Sequence, residues 1–397
     1  MPPLRVNSAR PECENLQKTV ADNTRSLPQT LTEVQAPGVI TERESLYLDL
    51  VRATAAFLVV IDHAPIKFDV SVPRWGHHAV IIFFVLSGYV ISNTTSQKKI
   101  TLQSYMVARL SRLWSVVVPT LLLTALSDAV GSHFGSRPAV YYDIHFDYPL
   151  IRMFSALFFL SESWLSIQPF SNGVFWSTSS EFWYYMIFAV FMFAPLGRLR
   201  AIYLTAAMLI AGPKTVLLFP IWLMGVALHR VAIFRRLSYK TSMTLWVGSL
   251  VAMAVILIFR LYDPGFDLIN ATYHPALLRY LAQARLFWLD WMFGILVTAN
   301  LLGARVAVKR IPIERLLVPI RWCAGISFSS YLLHLPLYYL CAAWLPPNQG
   351  FVAIVLVFAA IAIIAPPIER SRSAWRRGLE WASAHVTTAR AGAITST

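Results

Sequence analysis

A chain of 397 residues that is 57% hydrophobic and only 14% charged departs from water-soluble domains, in which about a quarter of residues carry charge. That balance excludes a domain dissolved in water, and a formal charge of +14 then reads as Lys and Arg kept on one side of a bilayer, not as a nucleic-acid surface. The three cysteines show no CxxC or His/Cys spacing, so neither a disulfide framework nor a metal site is indicated.

Residues 1–45 are polar, with Pro2, Pro3, Pro11, Pro28 and Pro37 spread among charges of both signs. They read as a flexible cytoplasmic tail. A basic start followed by an apolar core, the mark of a secretory signal, is missing from them. The first bilayer-length apolar helix is expected near Leu46–Ala64. Further spans fit at 76–94, 110–127, 174–195, 200–212, 214–230, 242–260, 285–303, 319–340 and 351–367. The stretch 149–164 is apolar but short and bracketed by Arg152 and Glu162. Ten spans follow if it is re-entrant or interfacial, eleven if it crosses. The positive-inside rule favours ten, because that count puts Lys98, Lys99, Arg198, Arg200, Arg235, Arg236, Lys309 and Arg310 on one side with both termini. The expectation is an all-α polytopic membrane protein of about ten transmembrane helices, N- and C-termini cytoplasmic, with its membrane domain at 46–368. Residues 369–397 are expected to form a short basic cytoplasmic tail, in which SRSAWRRG reads as an anchor.

Ionisable groups inside spans are costly and usually mark function. In LYLDLVRATAAFLVVIDHA, Arg52 and His63 lie eleven residues apart, on nearly one helical face and about 16 Å apart along the axis. This suits an anion held at Arg52 and proton transfer at His63; the bland reading pairs Arg52 with Asp49 and lets His63 reach the headgroups. Arg109 and Arg112 share a face at i, i+3 and suit phosphate, although ordinary cytoplasmic anchors would look the same. Glu181 is expected at the outer mouth of a span, among Trp176, Trp183, Tyr184 and Tyr185, where an acid beside aromatic rings can hold a sugar. Ser327, Tyr331 and His334 form a stripe at i, i+4, i+7 that serves either helix packing or catalysis.

In this order and spacing, over roughly residues 45–367, the segments resemble acyltransferase family 3, a group of bacterial and animal membrane acyltransferases. YLDLVRATAAFLVVIDH resembles the family's opening helix with its Arg-x10-His pattern at Arg52 and His63. GHHAVIIFFVLSGYVIS resembles the second helix, ARLSRLW the RxxR element at Arg109 and Arg112, FWSTSSEFWYY the segment with Glu181, and SFSSYLLHLPL the late helix with Ser, Tyr and His. The resemblance implies transfer of an acyl group, most often acetyl, from acyl-CoA to a hydroxyl of a surface or exported carbohydrate, at a bacterial inner membrane and with no bound cofactor. His63 is expected as general base or transient acyl carrier, with Glu181 positioning the acceptor. Arg52, Arg109 and Arg112 are expected on the donor's phosphates, and Ser327, Tyr331 and His334 as support. Many members carry an esterase-like domain after the membrane part; here a stand-alone form is expected, with a homo-oligomer left open. A transporter or flippase for a lipid-linked sugar is the alternative, although no internal repeat supports it.

Overall fold

The structure, a computed structural model, describes residues 40–96, 100–231 and 237–395. The expected tail up to residue 39, Lys98, Lys99, Arg235 and Arg236 lie outside the described residues. Helix α1 (Glu42–Asp62) begins where Thr41 accepts the Glu44 amide, 3.1 Å, with Glu42 and Glu44 in the first turn. A hydroxyl cap and acidic residues at that end satisfy free amides and suit the helix dipole. The chain continues as α2 (Gly76–Ser96), α3 (Leu102–Phe134), α4 (Pro149–Leu157), α5 (Phe175–Phe193), α6 (Arg198–Ala211), α7 (Pro213–Arg230), α8 (Tyr239–Ile258), α9 (Asp263–Thr272) and α10 (Pro275–Leu281). It ends with α11 (Phe287–Ala307), α12 (Leu317–Gly325), α13 (Ser327–Ala342), α14 (Gly350–Arg370) and α15 (Arg372–Thr395). The last of these makes a helix of much of the stretch read as a tail. No strand occurs among the described residues.

Among the described residues, five stretches are long and apolar enough to cross a bilayer: Gly76–Ser96, Leu102–Phe134, Tyr239–Ile258, Pro275–Ala307 and Pro347–His385. A sixth arises if α6 and α7 count as one broken span, since they meet at 116°. The sequence reading had made them two separate spans. The bend is local chemistry: Gly212 sits at φ +81°, with Ser163 O 2.2 Å from where a Cβ would stand, and Pro213 opens the next helix. Only glycine takes that backbone without strain, and proline suits a helix's first position. The expected span 319–340 likewise breaks at Ile326, between α12 and α13. Helix α1 has the length but carries Asp49, Arg52 and Asp62 within it. Helix α4 has 9 residues, about 13 Å of rise, and cannot cross.

The helices pack as a bundle in which α2 lies against α1 and α7, α8 against α11, and α13 against α1, α3 and α14. Helices α2 and α7 touch backbone to backbone. Gly88 and Gly225 face the other helix so closely that a Cβ on either would come within 2.0 Å of a carbonyl oxygen, Trp222 O or Val85 O. Small residues permit such approach where lipid supplies no hydrophobic drive between helices. Buried polar groups tie the bundle further. Arg305 donates to Glu44 at 3.2 Å and to Tyr89 at 2.9 Å, and Tyr89 donates to Glu44. Tyr47 donates to Asn300 at 2.6 Å and accepts from Trp246 at 2.9 Å.

Candidate active site

Two constellations lie along α1, joined by a tyrosine. The first is at its C-terminal end. His63 caps α1, and its Nδ1 lies 2.8 Å from Val59 O. A carbonyl can only accept, so in the neutral ring Nδ1 bears the hydrogen and Nε2 keeps its lone pair. From α13, the fully buried His334 sets its ring 4.8 Å away, edge against face. Its Nδ1 faces Ser330 O at 3.2 Å, while Nε2 is buried without a hydrogen-bond partner. Two imidazoles therefore meet, each held through Nδ1 by its own helix.

The second constellation is a cavity beside the middle of α1, walled by Arg52, Ser87, Arg112, Glu181, Ser327 and Tyr331. The α5 carboxylate Glu181 accepts from Ser87 Oγ at 2.7 Å and from the Tyr185 hydroxyl one turn on. The indole of Trp222 donates to the same Ser87 Oγ, 3.2 Å. Glu181 is within electrostatic reach of Arg52, Arg109 and Arg112, so its carboxylate balances those cations. Arg109 lies over the rings of Tyr105 and Tyr185, 5.7 and 6.0 Å from their centroids, and is not in the cavity wall. Among the described residues neither Arg109 nor Arg112 donates a hydrogen bond to protein. Arg52 has a long contact to Asp49, 3.4 Å. Partly buried guanidiniums without acceptors are costly unless an anion completes them.

Tyr331 links the two groups. It walls the cavity, and its ring lies 6.0 Å from that of His334. Its hydroxyl accepts from Ser177 at 2.6 Å and donates to Val174 O at 3.1 Å, which fixes it against the start of α5.

Residues 45–369 match the family model of an acyltransferase domain, acyltransferase 3. The chain is a member of acyltransferase family 3. No curated protein and no solved structure matches it. Family membership, with the apolar helices, makes it an integral membrane acyltransferase.

For this family member the structure brings seven of the eight sequence-derived residues into two adjoining groups: His63 with His334, and Arg52, Arg112, Glu181, Ser327 and Tyr331 around the cavity. Arg109 stands behind the wall. Sequence reading missed Ser87, Tyr185 and Ser177, which orient Glu181 and Tyr331. Ser87 lies inside the FFVLSGY stretch and Tyr185 four residues after Glu181, so both were visible as letters but not as partners. It also missed Arg372 at the start of α15, within electrostatic reach of Arg109, Arg112 and Glu369. Glu369 accepts the amide and hydroxyl of Ser329, 3.1 and 2.8 Å, tying α14 to α13.

Proposed function

We propose that this membrane acyltransferase moves an acyl group, acetyl in particular, from acyl-CoA to a hydroxyl of a surface or exported carbohydrate. The observation that supports it is the set of guanidiniums without acceptors among the described residues, Arg109 and Arg112, beside a cavity whose Tyr331 wall lies next to His334 and, through it, His63. Phosphates of the donor complete Arg52, Arg109, Arg112 and Arg372 from the cytoplasmic side, by the paired hydrogen bonds guanidinium makes to phosphate. The thioester end of the pantetheine arm then points along α1 toward His63.

At His63 the acceptor hydroxyl gives its proton to Nε2 as its oxygen attacks the thioester carbonyl. The tetrahedral intermediate collapses with cleavage of the C–S bond. The proton on His63 passes to the leaving sulfur, giving an ester and free CoA thiol. His334 holds the His63 ring in place, and Glu181 offsets the arginine charge when no donor is bound.

The test is transfer of label from radiolabelled acetyl-CoA into the glycan fraction of cells expressing the native protein or His63→Ala. Label that requires the native protein is the expected result. Absence of label with well-expressed native protein removes the acetyl-CoA reading.

A further inference from the structure

At the His63 end of α1 a crevice opens that the transfer chemistry does not use. One cavity of about 660 Å³ is walled by Asp62, Trp75, His77, Tyr262 and Arg285, among others. A second, of about 740 Å³, is walled by Gln168, Trp176, Asn270 and Arg279. Gln283 and Arg285 belong to both walls, so the two cavities adjoin. Each has the size of a small-molecule pocket, about 300–1,000 Å³, and together they take an oligosaccharide. Indole faces and side-chain amides are the groups that hold sugar rings, the first by apolar contact and the second by hydrogen bonds.

The floor of the joint is built, not incidental. His77 Nε2 lies 2.9 Å from Asp290 Oδ1, and Asp290 is fully buried on α11 with Oδ2 unpartnered. The His77 ring stacks on Trp176 at 6.2 Å and 21°, joining a residue of the first wall to one of the second. Of the cations in the first wall, Arg74 faces Asp62 at 3.7 Å and Arg260 faces Asp263 at 2.8 Å. Arg285 differs from both. It is half-buried, its guanidinium lies 5.2 Å from the Phe266 centroid, and it makes no ion pair or hydrogen bond with the described residues.

We infer that this crevice is the acceptor subsite and that Arg285 binds a carboxylate carried by the sugar chain. The inference rests on the acyltransfer reading and adds the class of acceptor: a glycan containing acidic sugars. With Arg74 and Arg260 already paired to Asp62 and Asp263, the half-buried Arg285, at the boundary of the two cavities, and the exposed Arg279 of the second wall are the guanidiniums left to meet a carboxylate among the described residues. Asp62 walls the crevice and precedes His63 in the chain, so a sugar anchored at Arg285 presents its neighbouring hydroxyls toward the imidazole.

The experiment is equilibrium binding of a fluorescent oligogalacturonate, and of its carboxyl-reduced neutral form, to the full-length protein in lipid nanodiscs without donor. The acidic oligomer binds at least tenfold more tightly than the neutral one. Arg285→Gln removes that difference, Arg285→Lys restores part of it, and His63→Ala leaves it intact. Equal binding of the two oligomers, or a difference that survives Arg285→Gln, overturns the inference. So does farnesyl diphosphate binding at Arg285 in preference to the uronate, which would place a lipid diphosphate there. Because no donor is present, binding is read independently of transfer, and failure of acetyl transfer does not mimic failure of the subsite.

Discussion

His63 and Arg112 mark the two ends of one path, and their substitutions separate into different kinetic effects. His63 Nε2 is free because Val59 O takes the other nitrogen. Alanine there removes the proton acceptor and is expected to lower turnover about 10²- to 10⁴-fold, with helical content by circular dichroism unchanged. Residual activity near the native level would take the proton transfer away from this residue. Among the described residues Arg112 has no hydrogen-bond acceptor to lose. Arg112→Ala is therefore expected to raise the apparent KM for acetyl-CoA by roughly 10- to 100-fold, the worth of one hydrogen bond to a charged group, and to leave thermal stability nearly unchanged. An unaltered KM would mean that the phosphates sit elsewhere. Ser87 is a positioning residue. Ser87→Ala removes the 2.7 Å contact to Glu181 Oε1 and leaves that oxygen held by Tyr185 alone, and is expected to perturb the donor KM more than kcat, with Ser87→Thr recovering part of the effect. A loss in kcat alone would tie Glu181 to the chemical step instead.

Between elements, the α2–α7 contact is where sequence changes bear most directly on the fold. A methyl at Gly88 meets Trp222 O and Trp222 C of α7, backbone atoms that have no rotamer to give. Gly88→Ala is expected to force α2 and α7 apart at a cost of about 1–3 kcal/mol, seen as a lower midpoint of thermal unfolding in detergent; an unchanged midpoint would mean that the helices slide without penalty. This glycine lies one residue after the serine that holds Glu181, so activity and stability are expected to fall together there. The same helices show what sequence reveals and what it hides. Arg52 and His63 were legible as one face because an α-helix fixes their separation by its own rise and turn. The pairing of His63 with His334, 271 positions later in the chain, was not, since contacts between helices depend on packing that no local period encodes. Glu181 was read beside its chain neighbours, the aromatic residues around it. Its partner Ser87 comes from another helix, a contact that no local spacing reveals. Hydropathy found apolar segments but could not see that Gly212 turns two of them by 116°, because a backbone reversal at φ +81° leaves no mark in an apolar average.

For the molecule as a whole, the proposed donor arginines include Arg52 near the middle of α1, while the proposed acceptor crevice opens at Asp62, the last residue of α1, with the histidines beside it. A donor that entered from the arginine side and an acceptor from the crevice side would meet only inside the bundle, and the reaction would then carry a direction across the membrane. This is open to measurement in sealed proteoliposomes of mixed orientation. Soluble fragments of the host's surface glycan are trapped in the lumen and labelled acetyl-CoA is added outside. Molecules whose arginine end faces outward are expected to label the trapped glycan, and His63→Ala vesicles are expected to label none. With donor and glycan both outside and none trapped, every orientation has one substrate on the wrong side, and label is expected to stay at background. Efficient labelling in that second arrangement would mean that donor and acceptor enter from the same face. It would remove the path along α1, and with it the reason for an acid-binding crevice at the end remote from the arginines. The comparison needs no knowledge of the native orientation, because the two arrangements differ only in whether a membrane separates the substrates.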